Sequence, residues 1–274
     1  MNESENNFLM EKSKHIRRLT VDEIGILGIG HIGGCLSIVE ALVVLYYKHM
    51  NIDPLNPKKE GRDRFVLSKG HAGPTLYSIL ADKGYFPLEE LHTLNQPGTN
   101  LPSHCDMLRT TGIDMTTGSL GQGLSCAVGM AKASKIKKDS AYIYAVVGDG
   151  ESQEGQIWEA AMLSSHLKLN NLIAFTDHNK LQIDGAVRDI NNLESLQDKW
   201  KSFGWNVINV IDGHDIEEID EAVTEAKKSM KKPTMIILNT IKGKGISFVE
   251  NKGAANHNMP FGEEDKIKAL QELN

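Results

Sequence analysis

The chain has 274 residues, 40% hydrophobic and 24% charged, with 25 glycines and 8 prolines; this is an ordinary globular composition, which excludes disordered, collagen-like and miniature disulfide-scaffold classes. Lys and Arg total 30 against 36 Asp and Glu, a formal net charge of −6, so the overall balance gives no support for nucleic acid as a partner. Cys35, Cys105 and Cys126 are an odd set without a CxxC pair, which argues against a disulfide framework and suits a reducing, cytoplasmic compartment.

Residues 1–7 are polar and lack arginine, so they resemble neither a secretory nor a transit peptide. The expectation is a flexible tail over residues 1–8 and a single domain over 9–274. Helical periodicity over Glu11–Ile26 breaks at Gly28, Gly30, Gly33 and Gly34. Leu36–Lys48 reads as a core helix, closed by a loop that Pro54 and Pro57 enforce. The apolar runs 37–47 and 141–147 are shorter than the about 20 residues of a membrane helix, and Glu40 interrupts the first, so no membrane association is expected. Phe65–Leu67 reads as a short strand and Ser68–Pro74 as a loop. Thr75–Lys83 and Leu88–Leu94 read as helices.

The second half alternates more regularly. Strands are predicted at Ala141–Val147, Leu172–Thr176, Trp205–Ile211 and Thr234–Asn239. Helices are predicted at Ile157–Leu167, Leu193–Phe203 and Ile216–Met230, then a long loop over Gly243–Gly262 and a last helix over Glu264–Leu270. Alternating strands and helices imply parallel βαβ units, hence an α/β fold with an open, mostly parallel sheet covered on both faces. Ligands of such sheets sit at the carboxyl ends of the strands.

Gly148-Asp149-Gly150 stands at one such end. Alone it reads as a strand-to-helix turn with Asp149 as a cap. Asn179, just beyond the next predicted strand, changes that reading, because one βαβ step brings both side chains to the same sheet edge. A carboxylate, an amide oxygen and a nearby backbone carbonyl are hard ligands suited to Mg²⁺ or Ca²⁺. Gly150 and the following helix start would let backbone N–H groups approach a phosphate.

The segments Gly148–Gly155 and Asp177–Gly185 together resemble the diphosphate-binding motif of thiamine-diphosphate enzymes. The resemblance sharpens to the transketolase family across nearly the whole chain. It is carried by Gly30-His31-Ile32-Gly33-Gly34, Leu67-Ser68-Lys69-Gly70-His71-Ala72, Leu101-Pro102-Ser103-His104, Thr116–Gly123, and Ile241-Lys242-Gly243-Lys244-Gly245 with His257 and Pro260 beyond it. The resemblance implies a thiamine-diphosphate-binding fold in which Asp149, Asn179 and the Leu181 carbonyl hold the metal. It implies that Gly150, His71 and His257 touch the diphosphate, that Gly118 and Leu120 lie along the cofactor, and that Ile183 packs near the thiazolium. His31, His71, His104 and His257 would surround the reacting carbon and the sugar hydroxyls, where a group with the pKa of histidine can give and take protons. Asp177 would lie near the cofactor, and Glu154 would join a carboxylate network at a subunit interface.

The other histidines, at positions 15, 49, 92, 166 and 214, read as ordinary surface or core residues, and Trp158, Trp200 and Trp205 as core or interface aromatics. A zinc site from His31, Cys35, His104 and Cys105 lacks paired-ligand spacing. This chain departs from the family at His178, where an acidic residue is common, and at Asn258 and Met259, which intervene between His257 and Pro260. Transketolases are usually far longer, and the resemblance covers their diphosphate-binding part. It therefore implies the N-terminal subunit of a split transketolase, moving a two-carbon ketol unit between sugar phosphates with thiamine diphosphate and a divalent metal. An α2β2 assembly with a separately encoded C-terminal subunit follows as an expectation. The alternatives are a subunit of another thiamine-diphosphate enzyme, such as a deoxyxylulose-phosphate-synthase-like or acyl-transferring one, or a non-catalytic module that keeps the fold.

Overall fold

The computed structural model describes residues 1–274. The chain opens with α1 (Glu3–Leu27), whose first turn is capped by the Asn2 side chain accepting from the Glu5 N–H at 2.9 Å. Residues 3–8, expected as part of a flexible tail, are thus the first turns of this helix. Lys48 pairs with Glu5 at 3.0 Å, and Leu9 is buried. Gly28, in the left-handed region at φ 86°, ends α1 and starts β1 (Gly28–Gly30).

Then come α2 (Ile32–Leu36) and α3 (Val39–Val44), with a π turn at Leu45–His49. The expected single core helix over 36–48 is therefore broken. The break has a local cause: Ser37 Oγ bonds back to the Gly34 carbonyl and forward to Asp177 Oδ2 at 2.7 Å. Next are β2 (Arg64–Leu67), a 3-10 turn at Gly70–Ala72, α4 (Gly73–Asp82) and a 3-10 segment at Leu88–Thr93. A helix absent from the sequence reading, α5 (Gln122–Lys137), precedes β3 (Ile143–Gly148) and α6 (Gly155–His166). The remainder runs β4 (Leu172–His178), the small hairpin β5 (Leu181–Gln182) and β6 (Gly185–Ala186), α7 (Val187–Asn191), α8 (Leu196–Ser202), β7 (Asn206–Val210), α9 (Ile216–Ala226) and β8 (Thr234–Asn239). Last come α10 (Ser247–Glu250), β9 (Met259–Phe261) and α11 (Glu263–Glu272). No helix is long and apolar enough to cross a membrane.

The central sheet has five parallel strands in the order β2-β3-β4-β8-β7. Alternation along β3 explains why it is covered on both sides. Tyr144 and Val146 enter one apolar cluster with residues of α1, α3, α4 and α9, while Ile143, Ala145 and Val147 enter another with residues of α5, α6 and α8. Trp200 and Trp205 lie in the second cluster with ring centroids 4.9 Å apart. Gly148 pairs with Asp177, and His178 with Asn239, so β3, β4 and β8 end level with one another.

The stretch expected as a loop over Gly243–Gly262 instead contains α10 and β9, and β9 pairs antiparallel with β1, Gly30 opposite Met259. That ribbon matters for the site. His31 follows β1 and His257 precedes β9, so pairing two three-residue strands brings histidines from opposite ends of the chain together.

Candidate functional site

Four loops converge at the carboxyl edge of the sheet, and each delivers one of the expected histidines. His31 lies at the start of α2, His71 in the turn after β2, His104 in the segment before α5, and His257 before β9. The His31 ring lies 5.4 Å from that of His71, 5.6 Å from His104 and 5.4 Å from His257, centroid to centroid. His71 and His257 are 4.9 Å apart. Close loop packing needs glycine here: a Cβ on Gly70 would sit 2.6 Å from Thr117 Oγ1 and 2.9 Å from the Gly118 nitrogen. Gly118, at φ +145°, brings its backbone beside the His104 ring.

Two buried lysines flank the rings, neither foreseen as a site residue. Lys242 Nζ is 3.0 Å from His257 Nδ1 and 3.5 Å from the Leu181 carbonyl. Lys69 Nζ pairs with Asp177 Oδ2 at 2.5 Å and donates to the Gly34 carbonyl at 2.8 Å. The only signal for them was a lysine inside each of two glycine-containing motifs. Burial, then the charges of His104, Lys242 and Lys69, lower His31 to about 4. Burial and Lys242 lower His257 to about 3. Burial followed by Lys69 pushes His71 well below its ordinary value, and burial lowers His104. Lys242, desolvated and facing Lys69, falls to about 8. At neutral pH the cluster is thus four neutral imidazoles beside two buried amines, Lys69 and the lowered Lys242, an environment suited to an anion.

The acidic side lies one strand over. Asp177, fully buried, accepts from Ser37, Lys69, Thr240 Oγ1 and Asn179 Nδ2. Burial alone would raise its pKa, but Lys69 and the hydroxyl donors outweigh it and hold the carboxyl below its ordinary value. Asp149 accepts from the Gly150 N–H at 2.7 Å and from the Lys180 N–H. Burial and the Asp177 charge raise it to about 7. Asn179 Oδ1 accepts from the Leu181 N–H at 3.1 Å. Asp149, Asn179 and Leu181 are therefore neighbours on one turn system, and Gln182 of the β5–β6 hairpin lies over Gly150, 3.0 Å from where its Cβ would be. No group of three or more His, Cys, Asp and Glu is arranged to hold a metal; the expected ligand set has only one carboxylate.

Glu151 was missed, and it is the buried carboxylate of this loop. It accepts from Ser68 Oγ and from the N–H groups of Gly121 and Gly148, each at 2.9 Å. Glu154, by contrast, is exposed. Leu120 and Ile183 are exposed apolar side chains at the rim. Asp149, His178 and Leu181 line a cavity of about 390 Å³, and His31 lines one of about 130 Å³. A cavity of about 560 Å³ lies between β7 and α9 and holds none of the expected site residues.

The parallel sheet, the two aligned turns after β3 and β4 and the histidine cluster define a thiamine-diphosphate-binding α/β domain. The family described as transketolase, thiamine diphosphate binding domain, matches residues 10–273, and the chain belongs to that family of ketol-transferring enzymes. It is 60% identical over 97% of its length to the 6-deoxy-6-sulfo-D-fructose transketolase subunit SqwG of Clostridium sp. (strain MSTE9), covering 96% of that protein. It is 41% identical over 89% of its length to an apulose-4-phosphate transketolase subunit of Phocaeicola vulgatus, covering 86% of it. The crystal structure of transketolase from Campylobacter jejuni superposes on the whole chain with a TM-score of 0.91 at 36% identity, and this chain covers 43% of it. Against the human transketolase, too, the chain spans only 42% of the relative's length.

Proposed function

We propose that this chain is the N-terminal subunit of a two-chain transketolase, active with a separately encoded C-terminal subunit in an α2β2 assembly. The observation that carries the reading is the meeting of four histidines from four separate loops beside two buried lysines. The relatives of matching length are named as subunits, which supports a partner chain. Each of the four histidines is only partly buried in this chain, which suits a half-site finished by another surface.

The residues fit the cofactor. Asp149, Asn179 and the Leu181 carbonyl offer hard oxygens for Mg²⁺ or Ca²⁺. A divalent cation against Asp149 would offset the burial, and the repulsion from Asp177, that together raise it to about 7. Lys242, His71, His257 and the Gly150 backbone would face the diphosphate. Gly118, Leu120 and Ile183 would lie along the cofactor, Asp177 would hold Asn179 and Lys69 in place beside it, and Glu154 would face the neighbouring subunit. Thiamine diphosphate, when bound, supplies the electron sink for breaking the carbon–carbon bond beside a ketose carbonyl. His31 and His104, neutral at pH 7, would hydrogen-bond the sugar oxygens and pass protons to and from them. His257, beside Lys242, would do so at the inner end of the cluster.

The proposed donor is 6-deoxy-6-sulfo-D-fructose, supported by the 60% identical relative. A ketose phosphate is the second reading, supported by the relatives named for apulose 4-phosphate. The test is ketol transfer by this chain with and without its C-terminal subunit, with thiamine diphosphate and Mg²⁺, offering the sulfonated ketose, xylulose 5-phosphate or pyruvate. Transfer only in the mixture, fastest from the sulfonated ketose, is expected. Robust transfer by this chain alone would overturn the split assembly, and turnover of pyruvate alone would overturn the ketol chemistry. Loss of Mg²⁺-stimulated cofactor binding in Asp149→Asn, measured by calorimetry, checks the metal assignment.

A further inference from the structure

The turn that carries Lys242 is held from behind by three buried charged or polar side chains that no role has yet claimed. Residues Ile241–Lys244 form a tight turn closed by the Lys244 N–H on the Ile241 carbonyl at 3.2 Å, with Gly243 at φ +90°. The two outward-facing backbone groups of that turn are the Ile241 N–H and the Lys244 carbonyl. The first donates to His214 Nε2 at 2.8 Å, and the second accepts from Arg17 Nε at 3.0 Å. Glu40 joins the two: its Oε2 is 3.0 Å from His214 Nδ1 and its Oε1 is 2.6 Å from Arg17 Nη2. The side chains of Arg17, Glu40 and His214 are 7%, 8% and 5% exposed. Burial opposes ionising Glu40, but Arg17 and the His214 hydrogen bond outweigh it and hold the carboxyl at about 2.

We propose that Arg17, Glu40 and His214 form a clamp whose function is to position Lys242 against His257, making all three positioning residues of the ketol-transfer site. The proposal rests on the reading of that site given above. The chemistry fixes a direction through the clamp. Ionised Glu40 can only accept, so His214 donates from Nδ1. Its Nε2 is then the acceptor that the Ile241 N–H requires. Arg17 turns its Nη2 to the same carboxylate, so both ends of the turn are referred to one buried charge. Gly245, at φ +93°, lets Arg17 lie flat against the turn: a Cβ there would be 2.9 Å from Arg17 Cδ. Lys242 leaves the turn toward the histidines, and its own carbonyl is held by Asn256 Nδ2 at 3.0 Å. A backbone held at four points, counting the Gly243 N–H on the Gly33 carbonyl at 3.0 Å, has little freedom to move the ammonium. Nothing in the sequence separated His214 from the other histidines read as ordinary; its partners lie on α1 and α3, far away in the chain.

The test compares two replacements of similar length in the reconstituted two-subunit enzyme. His214→Gln keeps an acceptor at the Nε2 position, and His214→Met removes it. The expected result is that His214→Met exchanges the Ile241 amide at least about tenfold faster. It also lowers kcat about 10- to 100-fold with KM for the ketose within about twofold, since small misplacements carry rate losses of that order. His214→Gln restores most of both. Equal behaviour of the two variants would overturn the clamp. Should both variants misfold, ¹⁵N-histidine NMR on the unaltered protein decides: an Nδ1–H tautomer at His214 upholds the proposal, and an Nε2–H tautomer overturns it. Amide exchange and tautomer need no substrate. An enzyme inactive on every donor, with both readouts as expected, would defeat the functional reading and leave the clamp standing.

Discussion

The carboxylate end of the site and the histidine end are built in opposite ways. Asp177 has four side-chain donors within the chain, and Glu151 has a hydroxyl and two backbone N–H groups. The rings of His31, His71 and His104 have no hydrogen-bond partner in the chain, and His257 meets only Lys242. Buried polar groups left unpartnered are costly, so a folded chain satisfies them when it can. Asp177 and Glu151 are therefore framework, complete before any ligand arrives. The histidine end keeps its hydrogen-bonding capacity free, and its neutral rings are ready to bind oxygens of a substrate.

The sharpest way to break this contrast is to remove one group from each end. Lys69→Met strands the Asp177 charge in a fully buried position, and breaking a buried pair from one side costs about 3–5 kcal/mol. Urea unfolding is expected to show a loss of that size. His104→Ala removes a ring that supports nothing else and should change unfolding free energy by less than about 1 kcal/mol. A stability loss at His104 as large as that at Lys69 would erase the distinction between the two ends. The activity ranking is expected to reverse for the histidines: His31→Ala should lower ketol transfer by the reconstituted enzyme about 10²- to 10⁴-fold, the usual worth of a proton-transferring group, with the fold intact by circular dichroism.

The two ends were also unequally legible. Strands β3, β4 and β8 announce themselves as apolar runs ending in Gly148-Asp149, Asp177-His178 and Asn239, so the sheet edge and Asp149 could be placed from sequence. The histidines were found through motifs, because no local pattern tells that β1 and β9, three residues each, will pair and bring His31 to His257. Strands that short carry no periodicity to read. Helix α5 escaped notice since its sequence, with Gly123, Gly129, Ser125 and Ser134, has only a weak apolar stripe. Ser37 broke a helix that looked continuous because its hydroxyl is needed at Asp177. Lys69 and Lys242 carry no local signal of burial, since a glycine-rich motif does not tell a buried lysine from a solvated one, and only the folded chain shows both below 4% exposure.

A gentler probe uses pH. An unfolded imidazole titrates near 6.5, while His31 is lowered to about 4 and His257 to about 3. Between these values the unfolded chain binds protons that the folded one refuses, so the histidines' contribution to stability is full above about 6.5 and is lost as pH falls toward 4. Asp149, raised to about 7, runs the other way, its contribution present at low pH and lost as pH rises through 7. The histidine share is therefore read as a difference: His31→Asn should flatten the low-pH decline in the urea midpoint relative to the unaltered chain. A slope unchanged by that substitution would mean that the ring is not held neutral by its surroundings.

The smallest expected effect is the most local, and it tests why the rings are neutral. Burial is the first cause of the low His257 pKa, and the charge of Lys242, 3.0 Å from Nδ1, is the next. Lys242→Met keeps most of the stem and removes the charge, so only the second cause is lost. The His257 pKa, followed by NMR, should rise from about 3 without reaching 6.5, while His104, for which burial is the cause, should stay where it was. The same variant should bind inorganic diphosphate about tenfold more weakly, as loss of one close charge-assisted contact implies. A full return of His257 to 6.5 would mean that charge, not desolvation, keeps the ring neutral. The open end of the site would then be set by its lysines alone, and an arriving anion would raise the proton affinity of His257 by offsetting the Lys242 charge.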